Sequence, residues 1–124
     1  MKKLLMRLAM TAALVVIGLI ASPSSFAQEA ETVPPQMSYL MFCATCHGKT
    51  GQADGPQSAS LSTKPRNFDD CATMSKISDD TIFKVIKYGG ASAGLSSEMP
   101  GWAAAMSDDE IKGLAKYVRS FCKK

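Results

Sequence analysis

Cys43-Ala44-Thr45-Cys46-His47 is the stretch on which the reading of this chain turns. On a helix, positions i, i+3 and i+4 share one face, so both sulfurs and the only imidazole of the chain are expected to project together. The spacing C-x-x-C-H is the attachment pattern for c-type haem, with two thiols reaching the two vinyl groups while the imidazole reaches the iron. Three other uses of the same residues compete. A thioredoxin-like pair wants a strand before it and a helix after it, and no such strand pattern precedes Cys43. A structural zinc site needs four ligands, which would have to come from His47 and cysteines that lack the usual paired spacing. The third alternative is a plain disulfide between Cys43 and Cys46.

Upstream, Met37, Leu40, Met41 and Ala44 recur at helical spacing, and Tyr39, Phe42, Cys43 and Cys46 form a second stripe. The pattern predicts a short helix with two buried faces running into the attachment segment. Downstream, residues 48 to 67 are rich in Gly, Ser, Pro and Thr, with Gly55-Pro56 and Lys64-Pro65 as breakers, and read as a long loop. A loop of that length in a small domain needs something to wrap, and a haem edge would serve. Ser78 followed by Asp79 and Asp80 predicts a helix start, with Ile82, Phe83, Val85 and Ile86 as apolar positions and Gly89-Gly90 as the stop. A second loop, Ala91 to Ala105, carries Met99-Pro100-Gly101-Trp102. Ser107-x-x-Glu110 then forms a capping box before a helix whose Ile111, Leu114, Ala115, Val118 and Cys122 keep one apolar stripe. No strand pattern or internal repeat is visible, so an all-α fold of three to four short helices is expected.

At the start of the chain, Lys2, Lys3 and Arg7 precede a fourteen-residue apolar run from Leu8 to Ala21 and a small-x-small pattern, Ser25-Phe26-Ala27. This reads as a secretion signal cleaved after Ala27, because the run is shorter than the roughly eighteen residues a membrane span needs. Residues 28–35 read as a flexible leader and 36–124 as the folded domain. Removing residues 1–27 from the 124 leaves 97, a single small domain whose own core is limited unless a cofactor fills it. The net charge of +3 leaves with Lys2, Lys3 and Arg7, so the mature chain is near neutral and lacks the basic surface of a nucleic-acid binder. The oxidising destination favours a disulfide between Cys71 and Cys122, which lie 51 positions apart; two separate buried thiols are the alternative.

The iron's sixth position needs a second ligand. Met99 is the choice, since Pro100 withholds an amide from any helix and biases Met99 toward an extended backbone. Met37 and Met41 ride on the attachment helix and, with Met106, suit gap-filling in the core better. With the motif at Cys43 to His47, Gly55-Pro56, Met99-Pro100 and the final amphipathic helix, residues 36 to 124 resemble the small class I bacterial cytochromes c. The resemblance implies the class I cytochrome c fold, with long loops around one covalently bound haem. It also implies that the attachment helix crosses the last helix through Tyr39, Leu114 and Tyr117, and that the Pro56 carbonyl accepts a hydrogen bond from the non-coordinating nitrogen of His47. Lys64, Arg66 and Trp102 are the candidate donors to the haem propionates.

The site expected is therefore Cys43, Cys46, His47, Pro56, Met99 and Trp102 around haem c, with His47 and Met99 on the iron. Such a protein is an exported, periplasmic single-electron carrier, monomeric, serving redox partner proteins, with neither nucleic acid nor a membrane as partner after signal cleavage. It is not an enzyme: His47 is committed, and the acidic pairs Asp79-Asp80 and Asp108-Asp109 sit at helix starts, where capping explains them. Thioether ligation would favour ferrous iron and raise the potential. Two further readings are a cytochrome subunit of an exported oxidoreductase, and a ligand sensor or enzyme in which Met99 leaves the iron open.

Overall fold

The computed structural model describes residues 32–123. The expected signal segment, and all but the last residues of the leader, lie outside the described residues. Helix α1, Pro35–Phe42, starts on Pro34-Pro35, where a fixed φ suits the first helical position and the missing amide would be unpaired anyway. The backbone hesitates at Cys43 and resumes as α2, Ala44–His47, which stops at Gly48 with φ 81°, a conformation that disfavours side chains. After a long loop holding one 3-10 turn, Ser58–Ser60, comes α3, Cys71–Met74, whose N-cap Asp70 accepts from the Thr73 amide and hydroxyl. Helix α4, Asp79–Tyr88, is capped by Ser78 and ends at Gly89. A second 3-10 turn, Gly90–Ala93, leads into the loop that carries Met99. Helix α5, Asp108–Ser120, has the complete capping box, with the Ser107 hydroxyl accepting from the Glu110 amide and the Glu110 carboxylate accepting from the Ser107 amide. The chain closes on a third 3-10 turn, Phe121–Lys123.

The described residues are helical without a strand, an all-α arrangement. Helix α5 is the beam, with α1 packed on one side and α4 on another. Its buried stripe is Ile111, Leu114, Ala115 and Val118, the set whose 3.6-residue period is visible in the sequence. Facing it are Ile82 and Ile86 from α4, Met74 from α3 and Tyr39 from α1. Tyr39 is fully buried, with its ring 5.4 Å from Tyr117 and 5.0 Å from Phe121. The α1–α5 crossing thus uses the aromatic contacts that the resemblance implies.

Two expectations are corrected. Helix α1 does not bury both stripes: Met37 is 50% and Met41 60% exposed, and Leu40 and Phe42 are also exposed. Its principal helical neighbour is α5, Phe42 meets Trp102, and Met37 and Met41 stay exposed. Met37 and Met41 therefore fill no core gap, whereas Met106 does, and Met74 is more deeply buried still. Helix α3 is an element the sequence pattern does not predict, too short to leave a period.

Arg119 fastens the segment after α3. Its guanidinium donates to the carbonyls of Met74 and Ile77 and meets the Asp79 carboxylate at 2.8 Å, satisfying three acceptors with one planar fork. Nearby, Cys71 and Cys122 face each other with Cα atoms 4.9 Å apart. That lies inside the span of roughly 4.4–6.8 Å that a disulfide bridges.

Candidate functional site

The attachment segment is helical on both sides of Cys43, which accepts from the His47 amide at 2.9 Å and the Cys46 amide at 3.2 Å. This turn holds Cys43, Cys46 and His47 in the i, i+3, i+4 relation anticipated from their spacing. Cys43 is buried, Cys46 is half-buried, and both thiols are free. Burial pushes the Cys43 thiol up to about 12, with the neighbouring Cys46 adding to the effect. A redox-active or nucleophilic cysteine needs the opposite shift, so Cys43 does not suit the attacking role in disulfide exchange. Among the described residues no three His, Cys, Asp or Glu side chains cluster as a metal-binding group, which counts against the zinc alternative.

His47 is buried and held from two directions. Its ring stacks on Phe68, centroids 4.3 Å apart and planes 15° from parallel. Its Nδ1 lies 3.0 Å from the Arg66 carbonyl, so Nδ1 is the protonated nitrogen that donates. Desolvation lowers the His47 pKa and the Arg66 hydrogen bond opposes that shift, leaving a neutral imidazole, the form that binds metals. No buried side-chain nitrogen or oxygen among the described residues lacks a hydrogen-bond partner. Nε2, which makes no hydrogen bond, therefore keeps accessible surface. A free Nε2 beside two free thiols is the donor chemistry that a covalently attached haem needs, and these residues fit that group.

The acceptor expected at Pro56 is supplied by Arg66 instead. The path of the loop explains the difference. The Gln57 amide donates to the Thr45 carbonyl at 3.0 Å, which lays residues 55–57 along the outside of α2. Gly55 passes so close that a Cβ there would stand 2.4 Å from the Thr45 oxygen, hence a glycine. Pro56 is exposed beside Ala44 and Thr45, where it lines a shallow cavity of about 460 Å³ that includes none of Cys43, Cys46, His47 or Met99. The chain comes back to His47 only later, where the Phe68 amide donates to the Gly51 carbonyl at 2.7 Å. Arg66 and Phe68 are the residues that sequence reasoning missed in these roles. A backbone carbonyl leaves no side-chain signature, although the aromatic Phe68 after Pro65-Arg66-Asn67 was a usable hint.

Met99 is half-buried on a strap between the second 3-10 turn and α5. Its carbonyl accepts from the Gly90 amide at 2.9 Å, and the Trp102 amide donates to the Ile86 carbonyl at 3.0 Å, so α4 anchors the strap on both sides of Met99. Trp102 is half-buried, its ring 5.0 Å from that of Phe42, the residue before Cys43. This contact brings the Met99 strap to the attachment segment. Lys64 and Arg66 have exposed side chains on the intervening loop. No helix of the described residues is long and apolar enough to cross a membrane.

The family model described as cytochrome C oxidase, cbb3-type, subunit III matches residues 30–118. A solved structure described as KustC0563 c-type cytochrome is similar, with a TM-score of 0.60 and 28% sequence identity over 72% of this chain and 98% of that one. No curated protein gives a significant match.

Proposed function

The chain belongs to the family of cytochrome C oxidase, cbb3-type, subunit III, a small haem-based electron-transfer domain, and from that premise we propose that it is an exported monohaem carrier of single electrons. Cys43 and Cys46 would hold the haem through thioethers, and His47 and Met99 would take the two axial positions. The observation that carries the reading is His47: Nδ1 is tied to Arg66, the ring is stacked on Phe68, and Nε2 is left accessible on the turn that also carries two free cysteines. When bound, the haem supplies one-electron exchange between ferric and ferrous iron.

The chain's own residues prepare that exchange in three ways. The Arg66 carbonyl fixes the His47 tautomer and raises the basicity of Nε2. Anchors at Gly90 and Ile86 hold the Met99 strap against reorganisation, and a thioether there raises the potential. With His47 and Met99 both serving as ligands, the iron would offer no place for substrate, which is why transfer rather than catalysis is proposed. Export through a cleaved leader, a periplasmic setting and the Cys71–Cys122 disulfide belong to the same proposal.

One observation favours a second reading, the cytochrome subunit of an exported oxidoreductase. Met37, Leu40 and Met41, at helical spacing, expose an apolar face on α1 shortly before the attachment segment, and such a face suits a protein partner.

The test is expression of the full chain with haem-attachment machinery, followed by extraction with acidified organic solvent and absorption spectra of both oxidation states. Haem that resists extraction, with the weak near-infrared band of Met-ligated ferric iron, is expected, and Met99→Ala should abolish the band. Extractable haem would overturn covalent attachment. Retained haem without the band in the unsubstituted protein would overturn Met99 as ligand and favour an open, ligand-binding iron.

A further inference from the structure

The loop whose Arg66 carbonyl holds His47 and the strap that carries Met99 are joined by one side chain. Glu98 Oε1 accepts from the Ser62 amide at 3.0 Å. Its Oε2 accepts from the Ser62 hydroxyl at 2.7 Å, the Thr63 amide at 3.3 Å and the Ser96 hydroxyl at 3.1 Å. The Ser96 hydroxyl in turn accepts from the Glu98 amide at 3.2 Å, which orients the carboxylate from its own side. Ser62 and Thr63 lie 36 and 35 residues from Glu98 in sequence. They also lie just before Arg66, while Glu98 lies just before Met99.

The Ser62-Thr63 loop is otherwise lightly held, and the strap, anchored to α4 at Met99 and Trp102, has Glu98 as its tie to that loop. Among the described residues, the amides of Leu61, Ser62, Thr63, Lys64, Arg66 and Asn67 donate no backbone-to-backbone hydrogen bond. The Met99 amide reaches the Ser96 carbonyl only at 3.4 Å. Glu98 is exposed, and what it contributes to the bridge is this set of charge-assisted hydrogen bonds.

We propose that Glu98 is a positioning residue for the axial thioether, a latch that closes the Met99 strap onto the Ser62-Thr63 loop and so joins the His47 side of the iron to the Met99 side. The inference rests on the reading of Met99 as sixth ligand. The latch favours the strap position in which the thioether is presented and disfavours the open position that lets an external ligand in. Removing it shifts that equilibrium without touching the iron or either ligand.

The experiment is titration of the ferric haem-loaded protein with imidazole, followed by loss of the near-infrared band. Wild type is compared with Glu98→Ala, Glu98→Gln and Glu98→Asp, and with Glu110→Gln as a stability control at the start of α5. Glu98→Ala should bind imidazole roughly tenfold more tightly, the order expected when several hydrogen bonds to a charged group are lost from one state. Glu98→Gln should fall between, Glu98→Asp should recover part of the wild-type value, and Glu110→Gln should lower thermal stability with imidazole affinity unchanged. Equal imidazole affinity in wild type and both Glu98→Ala and Glu98→Gln, each showing the band, would overturn the latch while leaving Met99 in place. A wild-type protein that lacks the band overturns the Met99 reading and the latch with it.

Discussion

Replacing Tyr39 separates the two contributions that one side chain makes at the α1–α5 crossing. Its hydroxyl donates to the Gly48 carbonyl at 2.7 Å, tying the crossing to the turn directly after His47. Burial raises the phenol pKa, so the hydroxyl stays protonated and able to donate. In Tyr39→Phe the hydrogen bond is lost, but the Gly48 carbonyl still accepts from the Gly51 amide at 3.2 Å and is not orphaned. The expected cost is therefore about 1 kcal/mol, the net worth of an ordinary hydrogen bond, without the added penalty of a stranded acceptor. In Tyr39→Leu the ring contacts with Phe68, Tyr117 and Phe121 at 6.4, 5.4 and 5.0 Å go as well, and a cavity remains. Aromatic pairs worth about 0.5–1.5 kcal/mol each and the cavity together put that variant at roughly 3–4 kcal/mol. In a domain of this size about 1 kcal/mol corresponds to roughly 4–8 °C in Tm. Thermal melts of the haem-loaded protein by far-ultraviolet circular dichroism should thus show a modest fall for Phe and a fall about three times larger for Leu. A Phe variant as stable as wild type would refute the role of the hydroxyl, and one as damaged as Leu would refute the partition.

Arg119→Met should cost about 2 kcal/mol in urea unfolding, because the carbonyls of Met74 and Ile77 lose their donor, and Arg119→Lys should recover little since an ammonium lacks the planar fork. Peptides containing Cys71 and Cys122 should be joined by mass spectrometry before reduction and separate after it. The double substitution Cys71→Ser, Cys122→Ser should lower stability by up to roughly 4 kcal/mol for a 51-residue separation. Glu110 is held below its ordinary carboxylate value, first by the Ser107 amide and then by the Ser107 hydroxyl. Its folded pKa lies below the unfolded one, so its contribution is full above the unfolded value and is lost as pH falls through the folded value. Melts across that acidic range should therefore show Glu110→Gln less stable than wild type near neutrality, with the gap closing as the pH drops.

The sequence by itself determined whatever depends on residues within about one helical turn of each other. The i, i+3, i+4 grouping of Cys43, Cys46 and His47, the caps at Ser78 and Ser107 with Glu110, and the buried stripe of α5 are all local relations, so the all-α class and the family could be read before any coordinates. The tertiary structure decided which surfaces meet. It gave the His47 hydrogen bond to Arg66 rather than Pro56, because the loop first runs outside α2 and returns only ten residues later. It left Met37 and Met41 exposed, because helical periodicity marks an apolar face without saying whether a second element arrives to cover it. It brought Glu98 to Ser62 and Arg119 to Met74 and Ile77, contacts whose acceptors or donors are largely backbone groups. Every residue but proline carries the same amide and carbonyl, so only the path of the chain can say which of them a side chain will find.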